Sequence, residues 1–228
     1  MGIVKENLEK LNTRIKEIAS RVDRNPDDIK LIAVTKTATI DQIKEAISAG
    51  VKMIGENKVQ EAQKKYQIFA NDNIEWHLVG HLQTNKVKFA VEMFDLIHSV
   101  DSLKLAKEID KRSIQFEKTT DILIEVNVSG EKTKYGIRPE ELEYFLKGIN
   151  EFSGIRIRGL MTIAPIVMNK EEVRPYFSKL RELTEKINAM AIKNVRLNYL
   201  SMGMTDDYEI AIEEGANMIR IGRGIFGY

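Results

Sequence analysis

The residues of this chain best placed to do chemistry are a lysine, an arginine and several glycines that follow directly on apolar runs. Lys36 comes just after Leu31-Ile32-Ala33-Val34. At the end of a buried strand its ammonium is partly desolvated, which lowers its pKa and frees an amine nucleophile, as Schiff-base chemistry requires. The plain alternative is a solvated lysine among the 35 basic residues. Toward the C-terminus, Ser201-Met202-Gly203-Met204 and Arg220-Ile221-Gly222-Arg223-Gly224 follow two further apolar runs. Loop amides at such places bind phosphate, and glycine lets the backbone approach the anion closely. Thr205-Asp206-Asp207, ahead of Ile210-Ala211-Ile212, reads as an N-cap and first helical turn that leaves free donors beside Gly203. Ordinary glycine turns compete with this reading. A lysine with a phosphate cradle also suits a phosphosugar barrel that uses Lys36 as an aldolase-type nucleophile.

Other chemistries are poorly supported. His77 and His81 have a metal-like spacing, but Trp76-His77-Leu78-Val79 reads as strand and sends the two imidazoles apart. His98 suits a hydrogen-bonded residue of a barrel wall. Residues 222–227, GRGIFG, match G-x-G-x-x-G in form, but no helix, second strand or later acidic residue is expected after them. The chain has no phosphate-binding P-loop and no serine nucleophile elbow. It also has no cysteine, which removes thiolate nucleophiles and cysteine-ligated zinc.

The elements that must position these residues alternate along the chain. Ile3, Leu8, Leu11, Ile15, Ile18 and Val22 mark an amphipathic helix over 3–22, and Asn25-Pro26-Asp27 ends it. A strand is predicted at 31–34, and further apolar runs lie near 52–56, 74–80, 96–100, 121–128, 155–163, 196–202 and 218–222. Helical stretches at 40–49, 102–113, 139–150 and 171–192 separate some of them. About eight strands alternating with helices predict a parallel sheet closed into a (β/α)8 TIM barrel with an extra N-terminal helix. An open doubly wound sheet is the alternative. Nothing in the composition suggests a cut, so residues 1–228 are read as a single domain. In such a barrel the site lies where the strands end, which adds Asn57, His81, Ser99, Asp101, Asn127 and Met161 to the candidates.

Composition excludes several partners. Thirty-five Lys plus Arg against 34 Asp plus Glu leave no field to attract nucleic acid or an anionic membrane. The first twenty residues hold no apolar run fit for a signal peptide, and Glu6 breaks the myristoylation pattern after Gly2. With no cysteine, a reducing, cytoplasmic location is expected.

The strings LIAVTKT (31–37), IGENKVQE (54–61), WHLVGHLQTNK (76–86), IHSVDS (97–102), VNVSGEKTKYGI (126–137), RGLMTIAP (158–165) and LSMGMTDDYEIAIEEGANMIRIG (200–222) resemble the pyridoxal phosphate homeostasis protein family. The resemblance spans nearly the whole chain. It implies that Lys36 holds pyridoxal 5'-phosphate as a Schiff base and that Ser201, Gly203, Gly222 and the amide that follows hold the phosphate. It further implies that Arg220 faces the pyridine nitrogen and that Asn57, His81 and Met161 surround the ring. Arg223 stands where relatives are expected to carry Ser or Thr, so a hydroxyl is exchanged for a guanidinium while the backbone N–H is kept.

The family shares its barrel with alanine racemase. An arginine at the ring nitrogen does not hand over a proton as a carboxylic acid does, which leaves a weaker electron sink. Racemases add a C-terminal domain and a partner subunit that supply a second acid/base, whereas this sequence stops at Tyr228. The resemblance therefore implies a carrier that buffers the cofactor and passes it to apo-enzymes, with no residue assigned a catalytic role and a monomer expected. A weak racemase, with Tyr135 as the second base, is the competing expectation.

Overall fold

In the computed structural model, which describes residues 2–131 and 133–227, the apolar runs form eight parallel strands. They are β1 (Lys30–Val34), β2 (Met53–Glu56), β3 (Glu75–Leu78), β4 (Leu96–Val100), β5 (Thr120–Glu125), β6 (Ile155–Met161), β7 (Val195–Ser201) and β8 (Met218–Ile221). They close in chain order, and β1 pairs with both β2 and β8. The expected TIM barrel is therefore the observed fold. Strands such as β4 and β8 are buried on both faces and so read as continuous apolar runs, whereas β6 and β7 expose Arg156, Arg196 and Asn198 near their starts. Ile32, Val34, Val79, Leu96, Leu123, Met161 and Met218 fill the inside, while Ala33, Ile54, Leu78, Ile97 and Ile122 turn outward to the helices.

β6 and β7 approach so closely that a Cβ on Gly159 would lie 2.0 Å from the carbonyl oxygen of Tyr199. Gly159→Ala is expected to destabilise the barrel by about 3 kcal/mol, the upper end for overpacking. A fall in the urea midpoint at constant m-value measures it, and a loss below about 1 kcal/mol would contradict the close contact.

The outer layer comprises α1 (Ile3–Arg21), α2 (Ile40–Ser48), α3 (Val59–Phe69), α4 (Val87–Met93), α5 (Leu103–Gln115), α6 (Leu142–Ile149), α7 (Arg174–Ala189), α8 (Tyr208–Glu213) and α9 (Arg223–Phe226). Thr39 and Gln42 form a reciprocal capping box that starts α2, and Ser102 caps α5. The extra helix α1 buries Val4, Leu8, Leu11, Ile15 and Ile18 and packs on α2, α8 and α9. Asn7 donates to the Ile225 carbonyl at 3.0 Å and Gln42 to that of Phe226 at 3.2 Å, so α1 and α2 anchor the turn that ends the barrel. The GRGIFG segment contains that turn as the short helix α9. It follows the last strand of the barrel and does not open a dinucleotide-binding unit.

Candidate functional site

A cavity of about 600 Å3 opens at the C-terminal ends of the strands. Lys36 lines it after β1, Asn57 after β2, Gly80 after β3, Ile163 and Ile166 after β6, and Met204 and Thr205 after β7. Arg220 from β8, with Gly222 and Arg223, completes the lining next to β1. The size suits a small ligand.

Lys36 is exposed at the mouth, which corrects the expectation of an ammonium desolvated by apolar walls: here the rim is open to solvent. Its position is set from behind by the preceding residue. The Thr35 hydroxyl donates to Glu56 Oε1 at 2.5 Å. Lys65 Nζ, on α3, donates to the same oxygen at 2.7 Å and to the Thr35 carbonyl at 2.5 Å. Glu56 is wholly buried, and among the described residues its Oε2 meets no hydrogen-bond partner. The end of β1 is thus tied to β2 and α3 just before Lys36 leaves it.

Arg220 is buried on β8, with Nη1 donating to Ser201 Oγ at 2.7 Å and Nη2 to the Thr162 carbonyl at 2.8 Å. Burial lowers its pKa to about 10, against the pull of Asp207 and Glu125, so it stays charged at neutral pH. Burial, with Asp101 adding to it and Arg220 opposing, pushes the Glu125 carboxyl up to about 7. Between the ordinary value of about 4.3 and 7 the folded state holds a proton that the unfolded state has released. Stability from this group is therefore full below that ordinary value, falls as pH rises through the window and is flat above it. Glu125→Gln is expected to stabilise the fold at pH 8 by on the order of 3 kcal/mol and to change little at pH 4. Thermal melts at the two pH values test this, and an equal effect at both would sink it.

On the phosphate side, Gly203 has φ +91, and a Cβ there would lie 2.5 Å from that of Ala211. Both features require glycine. Asp207 precedes α8 as expected, but its carboxylate reaches back to the Met204 N–H at 2.5 Å. One donor beside Gly203 is therefore occupied, contrary to the expectation of free amides there. The first amide of α9, Arg223 N–H, has no carbonyl one turn behind it inside the helix. The next, Gly224 N–H, donates to Thr205 Oγ1 at 3.3 Å. The Arg223 guanidinium meets Asp206 across the rim at 2.5 Å. Thr205 thus brings a hydroxyl to the rim beside the position where Arg223 lacks one.

Of the nine residues singled out for a ligand, Lys36, Asn57, Arg220, Gly222 and Arg223 line the cavity. Met161 lies below it in the apolar interior, and Ser201, fully buried, has its hydroxyl bonded to Arg220 and His98. Gly203 shapes the loop behind Met204. His81 sits in a neighbouring groove that shares Asn57 and Gly80 with the cavity. It stacks on Tyr135 with centroids 3.8 Å apart and meets Asp101 at 3.4 Å. His77 points into the barrel, so the two histidines do part as their strand predicts. Sequence reasoning passed over Thr37, Ile163 and Ile166 as lining residues and took Thr205 only for a helix cap. Their positions after strands β1, β6 and β7 were the available signal.

The sequence profile of the family described as alanine racemase, N-terminal domain, matches residues 7–228. The chain is 45% identical to the pyridoxal phosphate homeostasis protein of Aquifex aeolicus, over 97% of this chain and 96% of that one. The structure of PipY from Synechococcus elongatus with PLP bound superposes with a TM-score of 0.82 at 35% identity, covering 94% of this chain and all of that one. An alanine racemase of Clostridium difficile, 16% identical, has a TM-score of 0.77 over 99% of this chain and 56% of its own, a likeness of fold alone. The chain belongs to the pyridoxal phosphate homeostasis protein family, on the barrel it shares with the N-terminal domain of alanine racemase.

Proposed function

We propose that this protein binds pyridoxal 5'-phosphate in the cavity at the strand ends and serves cofactor homeostasis. The observation that carries this reading is an amine just after β1 and a buried guanidinium on the neighbouring β8, lining one cavity beside a glycine-bearing turn. The donor set fits the cofactor. Lys36 Nζ would hold it covalently, Arg220 would face the ring nitrogen, and the amides around Gly222 and Arg223 would take the phosphate. Asn57 and His81 would bound the ring. When bound, the cofactor supplies an aldehyde whose carbon accepts an amine with loss of water.

Arg220 keeps its proton at neutral pH and so would offer the ring nitrogen a hydrogen-bond donor. That arrangement favours holding the cofactor over turning over an amino acid. In this reading the protein acts as a cytoplasmic monomer that buffers the aldehyde and releases it to apo-enzymes.

The test is a titration of the purified chain with pyridoxal phosphate, followed by absorbance, borohydride reduction and peptide mapping. Saturable binding with the reduced adduct on Lys36 is expected. No saturable band, or an adduct spread over surface lysines, would overturn the reading.

A further inference from the structure

A chain of buried polar groups, His77, His98 and Ser201, crosses the interior of the barrel and ends on Arg220. His77 on β3 is 1% exposed, while His98 on β4 and Ser201 on β7 are 0% exposed. His77 Nδ1 lies 2.9 Å from His98 Nε2, and His98 Nδ1 lies 2.9 Å from Ser201 Oγ, which accepts from Arg220 Nη1 at 2.7 Å. At the other end, His77 Nε2 faces Glu75 Oε2 at 3.5 Å. Burial holds His98 well below the usual imidazole range, with His77 and Arg220 adding to the effect, so it is neutral and carries one N–H.

The two charged ends give this chain a single direction. A guanidinium only donates and a carboxylate only accepts. Ser201 Oγ receives the Arg220 proton and gives its own to His98 Nδ1. His98 is then protonated on Nε2 and donates to His77 Nδ1, and the remaining His77 N–H lies on Nε2, toward Glu75. The reverse order would turn a bare His77 nitrogen to the carboxylate and leave the Ser201 hydroxyl proton without an acceptor in the chain. Apolar side chains of similar volume would fill this space without burying polar groups, so packing alone does not account for them.

We propose that His98, backed by His77, is a positioning residue for the cofactor cavity, fixing the Ser201 hydroxyl and through it holding Arg220 in place as a permanent donor to the ligand. The ligand's identity rests on the pyridoxal phosphate reading, whereas the relay rests on the hydrogen bonds alone.

The test uses the full chain without ligand, labelled with 15N for NMR of its histidine and arginine side chains. Both His77 and His98 are expected as Nε2–H tautomers, and the Arg220 guanidinium as resolved, slowly rotating N–H groups. His98→Leu is expected to collapse the Arg220 signals, and His98→Gln, whose amide offers both an acceptor and a donor, to keep them. In a pyridoxal phosphate titration, His98→Leu is expected to lose about ten-fold in affinity, the scale of a hydrogen bond to a charged group, and His98→Gln to stay near wild type. An Nδ1–H tautomer at His98, or Arg220 signals indifferent to His98→Leu, would overturn the proposal. So would equal affinity losses in both variants. If His98→Leu does not fold, the wild-type tautomers and the glutamine variant decide. If the wild type shows the relay but binds no pyridoxal phosphate, the cofactor reading falls and the relay stands.

Discussion

Lys36→Ala is expected to weaken pyridoxal phosphate binding by more than about 100-fold, or about 2.7 kcal/mol, and to abolish the borohydride-trapped adduct. The same substitution is expected to leave the unliganded fold within about 0.5 kcal/mol of wild type, because the side chain is exposed at the cavity mouth. The two readouts should therefore separate. Adding cofactor should raise the melting temperature of the wild type by mass action and leave that of the variant unmoved. A variant that still binds saturably would remove Lys36 from its assigned place, and one that unfolds would show the lysine to be structural.

The second large effect is expected behind the site, at Lys65. Among the described residues its ammonium is the one cation paired with Glu56, whose side chain is fully buried and has a second oxygen that meets no hydrogen-bond donor there. Lys65→Met would leave that charge uncompensated inside the protein, at an expected cost of about 3–5 kcal/mol. Adding Glu56→Gln should recover part of the loss, since the buried charge goes with its partner. Denaturant midpoints for the single and double variants form the check, and a single-variant loss under about 1 kcal/mol would refute the pairing. Because Lys65 also holds the Thr35 carbonyl at 2.5 Å, the variant should bind cofactor more weakly even below its melting transition.

Most strands were legible because burial on two faces makes an apolar run; α1 was legible from its threes-and-fours spacing, and α2, α5, α6 and α7 as helical stretches between the runs. Strand ends were overrun at β3, β5 and β6, where Val79, Val126 and Val128, and Thr162 and Ile163 extend the apolar pattern past the ladder. The loops leaving those strands wall the mouth of the barrel, so they stay apolar after the pairing stops. α3 was missed because Gln60, Gln63, Lys64, Lys65 and Gln67 crowd its eleven residues, and α4 because it has seven residues and no side-chain cap. The lysine, the arginine and the glycine turn were legible by their place after strands. What the sequence does not contain is radial geometry. Nothing in the spacing of His77, His98 and Ser201 says that three different strands aim these side chains at one another across the interior.

The seam between β1 and β8 joins the first strand of the barrel to the last, with Ala33 beside Ile221. Lys36 and Arg220 lie on opposite sides of that seam and share a cavity only once it is zipped. During synthesis, a chain that has emerged as far as β7 already carries the lysine but not the guanidinium opposite it. Such a chain has no site, and capture of the ligand becomes a late event that reports completed closure. Bound ligand then acts as a clasp across the join, and slowed hydrogen exchange at the amides of β1 and β8 on ligand addition, larger than at β4 or β5, is its signature.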